Sequence, residues 1–222
     1  MGRVRNIWLL LALCLIFLSV DCASVPVRLS GKRAREIVSY IEGRDPGSVT
    51  ILYRGTFTCD SDVSPLLLVY TREENTSYVR LFSPVGDPVA VLVQNASPGD
   101  APPYKFSVRG RLGDYEGFFP RVLRLLGRDL PVHPIFSGLV PYYYDDVDLY
   151  RVKGGYLLEG GGLRAYLDTD FRIVKEDVEA GGISLRVAYE YGGPDDEVPL
   201  KLEISSRGCA LRLAREKGGS PN

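Results

Sequence analysis

The chain has 222 residues, 45% hydrophobic, 25% charged and 10% aromatic, which excludes a disordered polyelectrolyte and leaves enough apolar side chains for a sizeable core. Lys and Arg number 27 against 28 Asp and Glu, so the net charge of −1 offers no chain-wide basic field for nucleic acid. A single histidine, His133, excludes multi-histidine metal sites and leaves one candidate base for nucleophilic catalysis; no enzyme activity, cofactor or metal is expected.

Arg3 and Arg5 precede an uncharged run over 7–20, followed by Asp21-Cys22-Ala23-Ser24. A basic start before a short apolar core is the pattern of an export signal, and the run is shorter than the roughly 20 residues a spanning helix needs. Residues 1–21 are therefore read as a signal peptide, with an uncleaved membrane anchor as the other reading. Leu18-Ser19-Val20-Asp21-Cys22 has the outline of a lipoprotein cleavage box, which makes Cys22 the candidate lipid anchor; cleavage after Ser24 is the alternative. Residues 22–31 then form a linker. Cys59 and Cys209 remain in the exported part, where an oxidising compartment would let them pair.

Ala34, Ile37, Val38 and Ile41 recur at helical spacing and predict a helix over 32–42, stopped by Gly43 and Pro46. Alternation of period two then predicts strands over 49–57, 65–71, 76–83, 89–94 and 104–108. The second of these is apolar on both faces. Phe118, Phe119, Val122, Leu123 and Leu126 share one helical stripe, and 135–139 suggests a further short helical turn. Strand signals resume at 149–152, 156–159, 163–168 and 171–176. They are clearest over 183–191, 198–205 and 209–214. Short Gly- and Asp-rich links between these runs suit antiparallel hairpins. Nine to eleven such strands must curl, so the expected fold is α+β, mainly β: a curled antiparallel sheet forming an incomplete, half-open barrel with helices over its concave face.

His133 lies in the proline-flanked stretch Leu130-Pro131-Val132-His133-Pro134 and reads as a surface loop side chain; a secreted hydrolase built on it is the least favoured function. Asp145, Asp146 and Asp148 lack the spacing of a calcium loop and read as a solvated turn. Gly160-Gly161-Gly162 links two strands and opens no helix, so it has no context for holding phosphate. Val85 is the informative side chain. It stands between Pro84 and Gly86 at the tip of a predicted hairpin, either folded back on the sheet or aimed outward as a probe for a bilayer.

Gly55-Thr56-Phe57, the run Tyr78 to Leu92 with its Ser83-Pro84-Val85-Gly86-Asp87-Pro88 loop, Leu130-Pro131-Val132, Phe136-Ser137-Gly138-Leu139 and the final paired strands follow one another in a familiar order. Over roughly 33–215 the chain resembles the LolA/LolB family of lipoprotein carriers and receptors, the outer-membrane receptor most of all. The resemblance implies an acyl-chain cavity inside a half-open barrel, a helical lid, and a membrane-insertion loop whose apolar residue falls on Val85. It implies a lipid anchor at Cys22, acyl chains of lipids or lipoproteins as ligands, a periplasmic LolA-type carrier as partner, and residence at the outer membrane facing the periplasm, or in the soluble periplasm without lipidation. The family's Trp-bearing motif is absent, since the only Trp is Trp8 in the signal.

One lipid-binding domain over 32–217 and a flexible tail over 218–222 complete the expected organisation. The cavity is expected to be lined by Phe57, Val69, Leu81, Val91, Leu185 and Leu202, with Phe118, Phe119, Val122 and Leu126 on the lid. The competing reading is a secreted β-sandwich, a structural or interaction module with a filled core and no ligand.

Overall fold

Period-two alternation organises nearly everything after residue 48. The computed structural model describes residues 26–97, 103–110, 123, 126–139, 147–180, 182–193 and 196–216. Its strands are β1 (Val27–Arg28), β2 (Val49–Cys59), β3 (Asp62–Glu73), β4 (Thr76–Phe82), β5 (Pro88–Asn95), β6 (Lys105–Gly110), β7 (Asp148–Val152), β8 (Gly155–Gly160), β9 (Leu163–Leu167), β10 (Ile173–Ala180), β11 (Ile183–Glu190), β12 (Lys201–Ser206) and β13 (Cys209–Arg215). All thirteen form one curled antiparallel sheet in the order β1-β7-β8-β9-β10-β11-β12-β13-β2-β3-β4-β5-β6. The sheet is open, with β1 and β6 at its edges. It is one sheet rather than the two layers of a sandwich.

The order divides the sheet into two meanders, β2–β6 and β7–β13, joined where β13 pairs with β2. Cys59 and Cys209 are direct partners in that register, their Cα atoms 4.1 Å apart, and a disulfide joins them across 150 residues of sequence. Gly55 sits opposite Leu213 on the same seam; a Cβ there would lie 2.0 Å from the Arg212 carbonyl oxygen, so only glycine lets the two backbones approach.

Each strand turns one row of side chains to the core. In β2 these are Ile51, Tyr53 and Phe57; in β11 they are Leu185, Val187 and Tyr189. The opposite row of β10–β13 carries cross-strand ion pairs such as Arg186–Asp177 at 2.7 Å and Arg212–Glu203 at 2.9 Å. Being exposed, such pairs are screened by solvent and contribute little; burial of the inner row is what holds the sheet curled.

Helix α1 (Gly31–Glu42) starts at Ser30, whose hydroxyl accepts from the Arg33 N–H, and buries Ala34, Ile37 and Ile41 along one stripe. Each of the two isoleucines contributes roughly 2 kcal/mol by that burial. Between β6 and β7 runs an insert whose described residues, 123 and 126–139, pack on the inner face. It is helical at 123 and 126–128 and again as α2 (Val132–Ser137).

Two sequence expectations change. Val27–Arg28, inside the expected linker, pair with Tyr150 and Arg151 of β7, a contact too short to leave an alternation signal. His133 lies in α2, and every residue of that helix is buried. The prolines that suggested a loop are compatible with a helix start. Pro131 occupies the N-cap and Pro134 falls in the first turn, where the missing N–H has no partner to lose.

Candidate functional site

The inner wall of the sheet carries most of the apolar core cluster among the described residues, and the register shows which side chains belong to it. Phe57, Leu81, Leu185 and Leu202 face inward, and Leu126 faces them from the insert. Phe118, Phe119 and Val122 lie outside the described residues. Val69 and Val91 correct the expectation, because both are half-buried on the outer face: Val69 pairs with Leu52 and Arg80, and Val91 with Arg80 and Arg109. Apolar residues fill both sides of β3 and β5, so periodicity alone cannot choose a face there. Pairing of Leu68 with Leu81 makes the choice.

Among the described residues, part of the wall is packed closed, against the expectation of an open hollow. Leu158, Ala165, Ile173, Leu185, Val187 and Ile204 have no accessible surface, so not even a water-sized space remains against them. A depression of about 510 Å³ on the outer face is bounded instead by Asp177, Arg186, Glu203 and Arg212.

What fastens the insert to the wall is a small set of polar side chains. Gln94 ends the inward row of β5 and is fully buried. Its amide nitrogen donates to the carbonyls of Leu126, Gly127 and Leu130 at 2.8–2.9 Å, and its oxygen accepts from the Val132 N–H at 2.7 Å. One side chain thus satisfies the end of one helical turn and the start of α2, where backbone groups would otherwise be orphaned. Nearby, the Tyr53 hydroxyl donates to the Phe136 carbonyl at 3.4 Å, and the Tyr70 ring stacks on Phe136 at 5.0 Å.

His133 centres a second fastening. Its Nε2 lies 2.8 Å from Asp45 Oδ1; its Nδ1 lies 2.6 Å from the Tyr70 hydroxyl and 3.0 Å from Ser137 Oγ. Burial pushes the Asp45 carboxyl up, but the bond to His133, the Gly47 N–H and the charge of Arg72 outweigh it and hold the carboxyl at about 2. Burial, helped by Arg72, lowers the His133 pKa against the pull of Asp45. A neutral ring therefore donates from Nε2 to the carboxylate and accepts at Nδ1 from Tyr70. The order Ser137, His133, Asp45 has the outline of a catalytic relay, yet Ser137 and His133 are each 1% exposed and Tyr70 is fully enclosed. No substrate reaches the hydroxyl in this arrangement.

Glu176 is the other polar intruder on the wall. It is fully buried on β10, accepts from the Tyr189 hydroxyl at 2.9 Å through Oε2, and leaves Oε1 without a partner. Burial raises its pKa to about 8, the Tyr189 bond opposing only in part, so the neutral acid is favoured at pH 7.

Sequence reasoning missed Gln94, Asp45 and Glu176. Gln94 and Glu176 did leave a signal, as polar residues on the inward beat of an apolar alternation. Asp45 left none, because it meets His133 from 88 residues away.

At the β4–β5 hairpin Val85 points into solvent, 84% exposed. The tip is held by bonds from the Ser83 N–H to Asp87 O at 2.8 Å, from the Gly86 N–H to Ser83 O at 2.9 Å and from the Asp87 N–H to Ser83 Oγ at 3.1 Å. An apolar side chain is thereby presented outward on an ordered turn instead of folding back.

No family model matches this chain, and no curated protein matches it in sequence. Among solved structures it is similar to the crystal structure of a DUF1329 family protein from Desulfovibrio piger, at 8% identity and a TM-score of 0.49, over 84% of this chain and 91% of that one. So remote a likeness bears on neither ligand nor activity, and the fold description rests on the sheet itself.

Proposed function

We propose that this chain is an exported, non-enzymatic protein that takes acyl chains of lipids or lipoproteins onto the inner wall of its curled sheet and delivers them to a membrane. The observation that carries the reading is the continuous apolar wall beneath an insert fastened, among the described residues, chiefly by the side chains of Gln94, Tyr53 and Tyr70. In this reading the described arrangement is the closed form, and an acyl chain replaces the insert. Each methylene moved from water to such a wall contributes about 0.8 kcal/mol, so area rather than geometry sets the affinity. Val85 would enter the bilayer at delivery, Cys22 would carry the anchor in the outer membrane or cell envelope, and a LolA-type carrier would be the donor.

Solvent extraction of protein purified from its own envelope, together with titration of an apolar fluorescent dye, tests the reading. Recovered lipid and dye enhancement are expected; neither appearing would refute it. A second reading, an interaction module with a permanently filled core, is favoured by the absence of accessible surface at Leu185 and Val187. It predicts that no dye binds even when Gln94 is replaced and the insert loosened.

A further inference from the structure

A cavity of about 320 Å³ opens at the rim of the inner wall, bounded by Ile41 and Arg44 at the end of α1, Leu139 after α2, Phe171, Tyr191 and Glu197. Its size falls at the lower end of small-molecule sites. Gly138 keeps it open: the residue has a φ of 67°, and a Cβ there would lie 2.4 Å from the Tyr191 hydroxyl.

The charges around this cavity sort into spent and unspent. Arg172 is fixed by Asp168 through Nε at 2.9 Å and by the Gly193 carbonyl at 2.9 Å. Asp196 is held by Arg215 at 2.9 Å. Arg44 stacks on Tyr40 with its guanidinium 4.6 Å from the ring centre and donates once to the Tyr40 hydroxyl at 2.8 Å. Among the described residues no carboxylate pairs with Arg44 and no cation pairs with Glu197. One positive and one negative group therefore face the same space. Its floor, Ile41 and Leu139, is part of the apolar core.

We infer that this cavity binds a zwitterionic phosphate–ammonium headgroup, with the phosphate on Arg44 and the ammonium toward Glu197. The inference deepens the acyl-chain reading and rests on it for the lipid tail, which would continue past Ile41 and Leu139 onto the wall. A guanidinium offers a phosphate two parallel donors, and a lone carboxylate suits an ammonium.

Calorimetric titration of the folded protein with phosphoethanolamine, palmitoyl lysophosphatidylethanolamine below its micelle concentration, and monopalmitoylglycerol tests it. Arg44→Gln and Glu197→Gln are each expected to weaken both phosphoethanolamine compounds about tenfold, the loss of one charge-assisted contact, with monopalmitoylglycerol and the melting temperature unchanged. Failure of phosphoethanolamine compounds to bind, or binding indifferent to Arg44→Gln, overturns the inference; if monopalmitoylglycerol still binds, the acyl-chain reading survives. Phosphoethanolamine binding that Arg44→Gln abolishes, with nothing gained from a palmitoyl chain, supports the headgroup site and overturns the acyl-chain reading.

Discussion

In the first meander, β2–β6, the inner wall meets the insert with hydrogen bonds from Tyr53, Tyr70 and Gln94. In the second, β7–β13, the described wall is apolar except for Glu176 and Tyr189, which bond to each other, and Ser206 at the end of β12, which donates to the Ser184 carbonyl. Hydrogen bonds have direction, and breaking one leaves a buried group unsatisfied, whereas apolar contact is nearly indifferent to which apolar group supplies it. The first meander therefore decides where the insert sits. The second contributes area, and there an acyl chain can replace a side chain without orphaning a polar atom.

The sharpest way to break this contrast is Gln94→Leu, which leaves three carbonyls and one N–H without their partner. A loss of about 4 kcal/mol is expected by denaturant titration, against under about 1.5 kcal/mol for a volume-conserving swap such as Leu185→Met on the second meander. Equal losses would erase the distinction.

Protons should separate the two regions as well. The folded pKa of Glu176, about 8, lies above the unfolded value of 4.5, so the folded state holds a proton the unfolded chain releases, and stability falls as pH rises toward 8. His133 is the opposite case: its folded pKa lies below 6.5, the unfolded chain takes the proton first, and stability falls as pH drops below 6.5. Asp45 adds to that acid loss between 3.8 and about 2, since its folded carboxyl resists the proton. From pH 7 to 8 Glu176 is the described group whose shift works against stability, and denaturation of the unaltered protein should show a loss of about 1 kcal/mol that Glu176→Gln abolishes.

Tyr70→Phe removes the donor to His133 Nδ1 and should cost about 1 kcal/mol while changing the acid limb and leaving the alkaline limb as it was. A changed alkaline limb would mean the two regions are coupled. The smallest effect on stability belongs to Val85→Glu, within about 0.5 kcal/mol because the residue is exposed. Transfer of acyl chains to liposomes should nevertheless fall sharply, and unchanged transfer would remove Val85 from the delivery step.

Strand positions and α1 were legible because period two and period 3.6 record which residues face the core. The reading faltered where that record is ambiguous. Val69 and Val91 sit in strands apolar on both faces, and His133 sits among prolines that fit a loop or a helix start equally well. Of the fastenings, the ring of His133 drew notice only for its rarity, while its partners Asp45 and Tyr70 looked like ordinary turn and strand residues.

Local pattern alone determined that this chain makes a long antiparallel series of strands with a helical interruption, because alternation and turn chemistry act between neighbours in sequence. Tertiary structure decided that the series stays one open sheet, that Cys59 meets Cys209, that residues such as Leu185 and Ile204 on the inner wall are packed closed, and that Gln94 and His133 hold the described part of its cover. Those outcomes depend on groups brought together from tens of residues apart, whose pairing energy exists only once the chain has closed around them.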